Sequence, residues 1–135
     1  MGREILVPVD GSDTAWKALE HALEHHEGDS ITVLYVIHPL EGDYVTENGE
    51  QIKQSEQIAR EARDRFDRVD PEATEFDVQF REGRPAHVIL SYTREHDIDQ
   101  AVMGSKGLSG VKRLLLGSVA ETVVRRSDVP VNVVR

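Results

Sequence analysis

Short apolar runs, separated by segments of helical period, constrain this chain more than any other feature. Glu4 to Val9 and Ile31 to Ile37 are continuous apolar runs, as are Ile98 to Met103 and Val131 to Val134. A run that is apolar at successive positions buries both faces, which suits a strand inside a parallel sheet. Between the first two runs, Ala15, Leu19, Ala22 and Leu23 form one stripe, opened by Asp10-Gly11-Ser12-Asp13 and stopped by Gly28. That pattern predicts a helix to about His26. Ile52, Ser55, Ala59, Ala62, Phe66 and Val69 recur at three-and-four spacing and predict a long amphipathic helix from about Gly49 to Val69. An acidic loop over 40–48 precedes it.

After Pro71 the period changes. Phe76, Val78 and Phe80 alternate with polar residues, which predicts an edge strand with one wet face. Gly83-Arg84-Pro85 reads as a turn with proline placed to open a helix to about His96. A last helix is expected over Val119 to Arg126, before the final strand that follows Pro130. Strands alternating with helices imply crossover connections and an open parallel α/β sheet of five strands with helices on both faces. In such sheets ligands settle beyond the carboxyl ends of the strands, where the strand order reverses. The segments following strands one and four, Asp10-Gly11-Ser12 and Gly104-Ser105-Lys106-Gly107, fall at that place.

At 135 residues, one domain spanning 1–135 is expected. No apolar run approaches the ~20 residues of a membrane span, and the segment after Met1 is too brief for a signal peptide. With no cysteine, disulfides and thiolate metal sites are excluded, which fits a cytoplasmic protein. A net charge of −9 argues against nucleic acid as a partner, since a basic face is needed to displace counterions. The basic residues are 12 Arg and only 4 Lys against 25 Asp and Glu. This balance fits a surface adapted to high salt, where self-repulsion is screened, and equally an ordinary acidic protein.

The strongest chemical signal is Gly104-Ser105-Lys106-Gly107, nine residues, then Gly117-Ser118. Glycines let backbone approach a ligand, and a helix starting at Gly117-Ser118 aims free N–H groups at an anion. The run is not a Walker A loop, because no lysine stands before Ser118, and it is not a dinucleotide fingerprint. Ser118-Val119-Ala120-Glu121 also fits a capping box. Asp10 is read either as a ligand for ribose or for a phosphate-bound Mg²⁺, or as a turn residue. Lys106 either pairs with phosphate or stands in solvent. His21 and His25 have metal-ligand spacing but no third partner in the sequence, so no metal site is assigned. Trp16 is read as packing. No residue is placed to activate water, so no catalytic residue is assigned.

At these residues the chain resembles the universal stress protein family, in its ATP-binding branch. The resemblance covers nearly the whole chain. It rests on Ile5 to Ser12, Val33 to Ile37, Gly83-Arg84-Pro85, Met103 to Gly107, Gly117 to Glu121 and Pro130 to Val134. The family's motif, Gly, two residues, Gly, nine residues, then Gly with Ser or Thr, is matched in full. The resemblance implies an adenine-nucleotide α-hydrolase-like sheet of order 3-2-1-4-5. It also implies Pro8, Val9 and Asp10 on the adenosine side, Val36 against adenine, and Met103 and Gly104 as floor. Ser105, Lys106 and Gly107 would wrap ribose and phosphates, and Gly117, Ser118 and Val119 would hold the phosphate tail. Lys106 departs from the His or Arg that many members carry, and Gly110 leaves contacts over 108–110 unassigned.

The implied ligand is ATP, with or without Mg²⁺, and the implied assembly is a homodimer through Val129 to Arg135. The resemblance implies a stress-linked regulator or nucleotide-dependent switch with an unidentified downstream protein partner. A slow ATPase or an adenylyl- or phosphotransferase using the same pocket remains open. So does an interaction module that binds AMP, a cyclic nucleotide or nothing. Valine at Gly104 or Gly117 is expected to exclude the ligand and leave the fold intact.

Overall fold

In a computed structural model, which describes residues 2–37, 50–69, 74–106 and 116–135 (backbone only at 50–53), strands and helices alternate throughout. β1 (Glu4–Val9) leads through α1 (Asp13–His25) to β2 (Ser30–Ile37), and α2 (Glu50–Val69) leads to β3 (Glu75–Glu82). α3 (Pro85–Glu95), β4 (Gln100–Gly104), α4 (Ser118–Arg126) and β5 (Val131–Val134) follow. The strands form one parallel sheet in the order β3-β2-β1-β4-β5, as the resemblance implies. The acidic loop, Pro71, Gly107 and Gly110 lie outside the described residues.

The alternation of side chains along β1 divides two cores. Ile5, Val7 and Val9 pack with Ile31, Val33 and Tyr35 of β2 beneath the apolar stripes of α1 and α2. Leu6 joins Leu34 and Met103 under α3 and α4. This explains why β1 reads as a continuous apolar run: it is covered on both faces. Each fully buried Leu or Ile contributes about 1.5–3 kcal/mol relative to exposure. Trp16 is buried in the first core with the Arg65 guanidinium 5.1 Å from its ring centre, so it packs as the sequence suggests. Arg65 is fixed there by Glu20 and Glu61.

β3 is the edge strand, with Phe76 and Val78 packed on the first core and Glu75 and Asp77 exposed. Phe80 is 37% exposed and meets Tyr35 edge to face. β4 begins two residues later than its apolar run suggests. Ile98 is spent on the end of α3, where its N–H donates to the Thr93 carbonyl and its side chain enters the second core. Asp99 then accepts from the Glu4 N–H, and pairing with β1 starts at Gln100. Tertiary pairing sets that boundary, not hydrophobicity.

The reversal of strand order falls between β1 and β4, with β2 and β3 on one side and β5 on the other. The β1–β4 ladder comprises Ile5↔Gln100 and Leu6↔Ala101, although the strands run on to Val9 and Gly104. Pro8 in that stretch has no N–H to offer. By the rule for open α/β sheets, the crevice for a ligand falls at this reversal, beyond the carboxyl ends of β1 and β4. Among the described residues, no helix is long and apolar enough to cross a membrane.

Candidate functional site

Three chain segments meet beyond those carboxyl ends. The first follows β1. Asp10 is half-buried, and its Oδ1 accepts the Ser12 N–H at 2.9 Å. Gly11 turns with φ 90°, a left-handed conformation suited to glycine. Ser12 then caps α1, its Oγ accepting the Ala15 N–H at 3.4 Å. Asp10 therefore does serve the turn, through one oxygen. Its Oδ2 has no partner among the described residues, so the ligand reading of Asp10 is not displaced by the turn reading.

The second segment is the end of β4. Met103 is 5% and Ser105 1% exposed, while Gly104 and Lys106 are half-buried. The Ser105 N–H donates to the Val134 carbonyl at 2.8 Å, which anchors the segment to β5. Lys106 forms no ion pair among the described residues. The third segment opens α4. Gly117 is its N-cap (φ −69°, ψ 166°), Ser118 is exposed, and Val119 packs against the second core.

One hydrogen bond unites the second and third segments: the Gly117 N–H donates to the Ser105 carbonyl at 2.6 Å. The two halves of the glycine run, apart in sequence, are thus adjacent in space. Pro8 and Val9 lie buried in β1 beside them, and Val36 lies half-buried near the end of β2 on the α3/α4 face. Gly107 lies outside the described residues.

The capping box expected at Ser118 is not formed. The cap is Gly117, one residue earlier, and the Glu121 N–H donates to the Gly117 carbonyl as an ordinary helical bond. Glu121 reaches forward to Arg125 at 3.2 Å instead of back to the cap. No side chain caps α4, so its first-turn N–H groups keep their positive dipole end available to an anion.

Gly104 also differs from its expected role. A Cβ there would lie 2.6 Å from the Thr14 carbonyl carbon, 2.6 Å from Thr14 Oγ1 and 2.7 Å from the Ala15 nitrogen. Its missing side chain seats α1 against β4, so the fold would not be indifferent to valine at this position. Sequence reasoning also missed Thr14. Its Oγ1 donates to the Lys106 carbonyl at 2.6 Å, across 92 positions in the chain. No periodicity or motif signals a contact at that separation.

His21 and His25, the pair with metal-ligand spacing, stand on the later turns of α1, away from this site. His21 and His25 have ring centres 4.2 Å apart, and His21 Nε2 lies 3.2 Å from Asn132 Nδ2. Burial, with the nearby His25 and His26, holds His21 below the usual histidine range against the opposing pull of Glu24. At the opposite end of the sheet, Asp29 is held by the Arg3 N–H and by His26 Nδ1, at 2.9 and 3.0 Å. Chemically, the backbone donors at the start of α4 and the Lys106 ammonium suit an anion, whereas the Asp10 carboxylate repels an anion and suits a hydroxyl donor or a cation.

The family model for the universal stress protein family matches residues 1–135. The chain belongs to that family. A universal stress protein of Methanocaldococcus jannaschii is 34% identical, over 98% of this chain and 82% of its own. UspA from Lactobacillus plantarum superposes with a TM-score of 0.81 at 30% identity, over 98% of this chain and 97% of that one. Another universal stress protein, solved in complex with cAMP, superposes with a TM-score of 0.78 at 26% identity, over 99% and 97%.

Proposed function

We propose that this universal stress protein binds ATP at the carboxyl ends of β1 and β4 and acts as a nucleotide-dependent regulator. The observation that carries the reading is the 2.6 Å bond from the Gly117 N–H to the Ser105 carbonyl. It sets a glycine-flanked strand end beside a helix N-terminus that no side chain caps. Asp10 Oδ2 is the group for ribose, or for a Mg²⁺ carried by the phosphates. Pro8, Val9 and Asp10 are assigned to the adenosine side, Val36 to adenine, and Met103 and Gly104 to the floor. Ser105, Lys106, Gly117, Ser118 and Val119 face the phosphates, with Gly107 assigned by the motif alone.

The second reading, a module that binds a monophosphate or cyclic nucleotide, is favoured by the relative solved with cAMP. Hydrolysis, if present, is expected to be slow, since Asp10 aligns no nucleophile among the described residues. The outer edge of β5 suits pairing with a second copy, and a cytoplasmic location is proposed with it.

Mass spectrometry of the ligand released from gently purified protein, with calorimetric titration of ATP, AMP and cAMP, tests the reading. ATP at a hundredfold excess over its dissociation constant should stabilise the fold by ~2.7 kcal/mol. That corresponds to roughly 10 °C in Tm for a chain of 135 residues. Preference for AMP or cAMP would favour the module, and no affinity for any of the three would refute the site. Sustained phosphate release abolished by Asp10→Ala would favour the enzyme reading.

A further inference from the structure

Two hydroxyls at the start of α1 converge on one peptide group of the loop that follows β4. Thr14 Oγ1 donates to the Lys106 carbonyl at 2.6 Å and accepts the Lys106 N–H at 3.4 Å. Ser12 Oγ donates to the same carbonyl at 3.3 Å while it caps α1. Both lone pairs of that oxygen are therefore occupied. A side chain that engages the N–H and the C=O of one residue fixes both of its backbone dihedrals. Ser105 is held just as fully, by the Val134 carbonyl at its N–H and by the Gly117 N–H at its carbonyl. Every backbone polar group of Ser105 and Lys106 thus has a partner on α1, β5 or α4. The approach depends on Gly104, whose Cβ would lie 2.6 Å from Thr14 Oγ1.

We infer that Thr14 is a positioning residue for the phosphates: it presets the Lys106 backbone so that the start of the loop is not ordered at the expense of ligand binding. This rests on the nucleotide reading above. Preorganisation of this kind raises affinity by removing an ordering cost, without adding a contact to the ligand. The adenosine side does not depend on Thr14, because Asp10 is fixed by its own bond to the Ser12 N–H. Loss of the hydroxyl should therefore weaken ligands that carry phosphates and spare adenosine.

The test is calorimetric titration of the full chain with ATP and with adenosine, in the wild type, Thr14→Val and Thr14→Ser. Valine keeps the shape and removes the hydroxyl, whereas serine restores it. Thr14→Val should bind ATP roughly tenfold more weakly, the scale of one lost hydrogen bond, with adenosine changed less than twofold. Thr14→Ser should bind ATP within about twofold to threefold of the wild type. In the nucleotide-free protein, hydrogen exchange at the Lys106 amide should quicken in Thr14→Val, with the Val102 amide of β4 unchanged.

Equal losses for ATP and adenosine, or ATP affinity retained in Thr14→Val, would overturn the inference while the wild type still binds ATP. A wild type that binds neither ligand would overturn the nucleotide reading and this inference with it. If Thr14→Val does not fold, Thr14→Ala, which also lacks the hydroxyl, decides by exchange against Thr14→Ser: faster exchange of the Lys106 amide in Thr14→Ala supports the inference, and equal exchange in the two refutes it.

Discussion

Gly104→Ala should destabilise this fold by about 2–4 kcal/mol, even though Gly104 sits in a glycine run that reads as ligand-binding. The added Cβ would stand 2.6–2.7 Å from backbone atoms of Thr14 and Ala15. Ordinary contact is roughly 3.5–4.0 Å, so the first turn of α1 must retreat by about 1 Å. Overpacking of this kind costs about 1–3 kcal/mol. The retreat also lengthens the Thr14–Lys106 and Ser12–Lys106 hydrogen bonds, each worth about 0.5–1.5 kcal/mol net. Alanine returns about 0.4–1 kcal/mol by restricting the unfolded chain, which offsets a small part of this. With an unfolding entropy of about 0.28 kcal/mol per kelvin for 135 residues, the melting midpoint should fall by roughly 7–14 °C. Thermal and urea unfolding followed by far-ultraviolet circular dichroism measure this directly. A Gly104→Ala protein that melts within about 2 °C of the wild type would refute the argument that this glycine seats α1 on β4.

Two further outcomes follow from the caps and the charges. Ser12→Ala should cost about 1 kcal/mol or more, because it removes both the cap of α1 and a bond to Lys106, whereas Ser118→Ala should change stability by less than about 0.5 kcal/mol. Chemical denaturation of the two variants checks this, and equal losses would restore the capping box. Burial pushes the Asp29 carboxyl up, but the Arg3 N–H, the His26 ring and their charges outweigh it and hold it below the ordinary value of 3.8. A depressed carboxyl stabilises the fold above its unfolded value and loses that contribution as pH falls through the folded one. The stability gap between wild type and Asp29→Asn should thus be full at neutral pH and close as pH drops below about 3.8. A gap that is constant from pH 7 to pH 2 would refute the assignment.

Much of the architecture was legible because burial leaves its period in the residue order. β1 and β5 have the bounds their apolar runs suggest, and α2 ends at Val69, where its three-and-four pattern ends. The alternation of Phe76, Val78 and Phe80 marked β3 as an edge before any pairing was known. The glycine spacing identified which two segments to bring together, and the Gly117–Ser105 bond joins them. Local patterns were less reliable at boundaries. Ile98 is as apolar as a strand residue, yet it closes α3, because pairing with β1 begins only at Gln100. Ser118 and Glu121 have capping-box spacing, yet the tie from Gly117 to Ser105 places the cap one residue earlier.

By itself, then, the sequence determined the succession of strands and helices, the division of apolar residues between two faces and the place of the glycine run. These follow from periodicity and from the conformations glycine and proline allow, which are local properties. Only the tertiary structure decided which surface of Gly104 is crowded, which residue caps α4, and that Thr14 holds Lys106 across 92 positions. Contacts between distant segments depend on how α1 settles against β4 once the sheet has formed. Neither residue carries a local trace of that approach, which exists only in the packed fold.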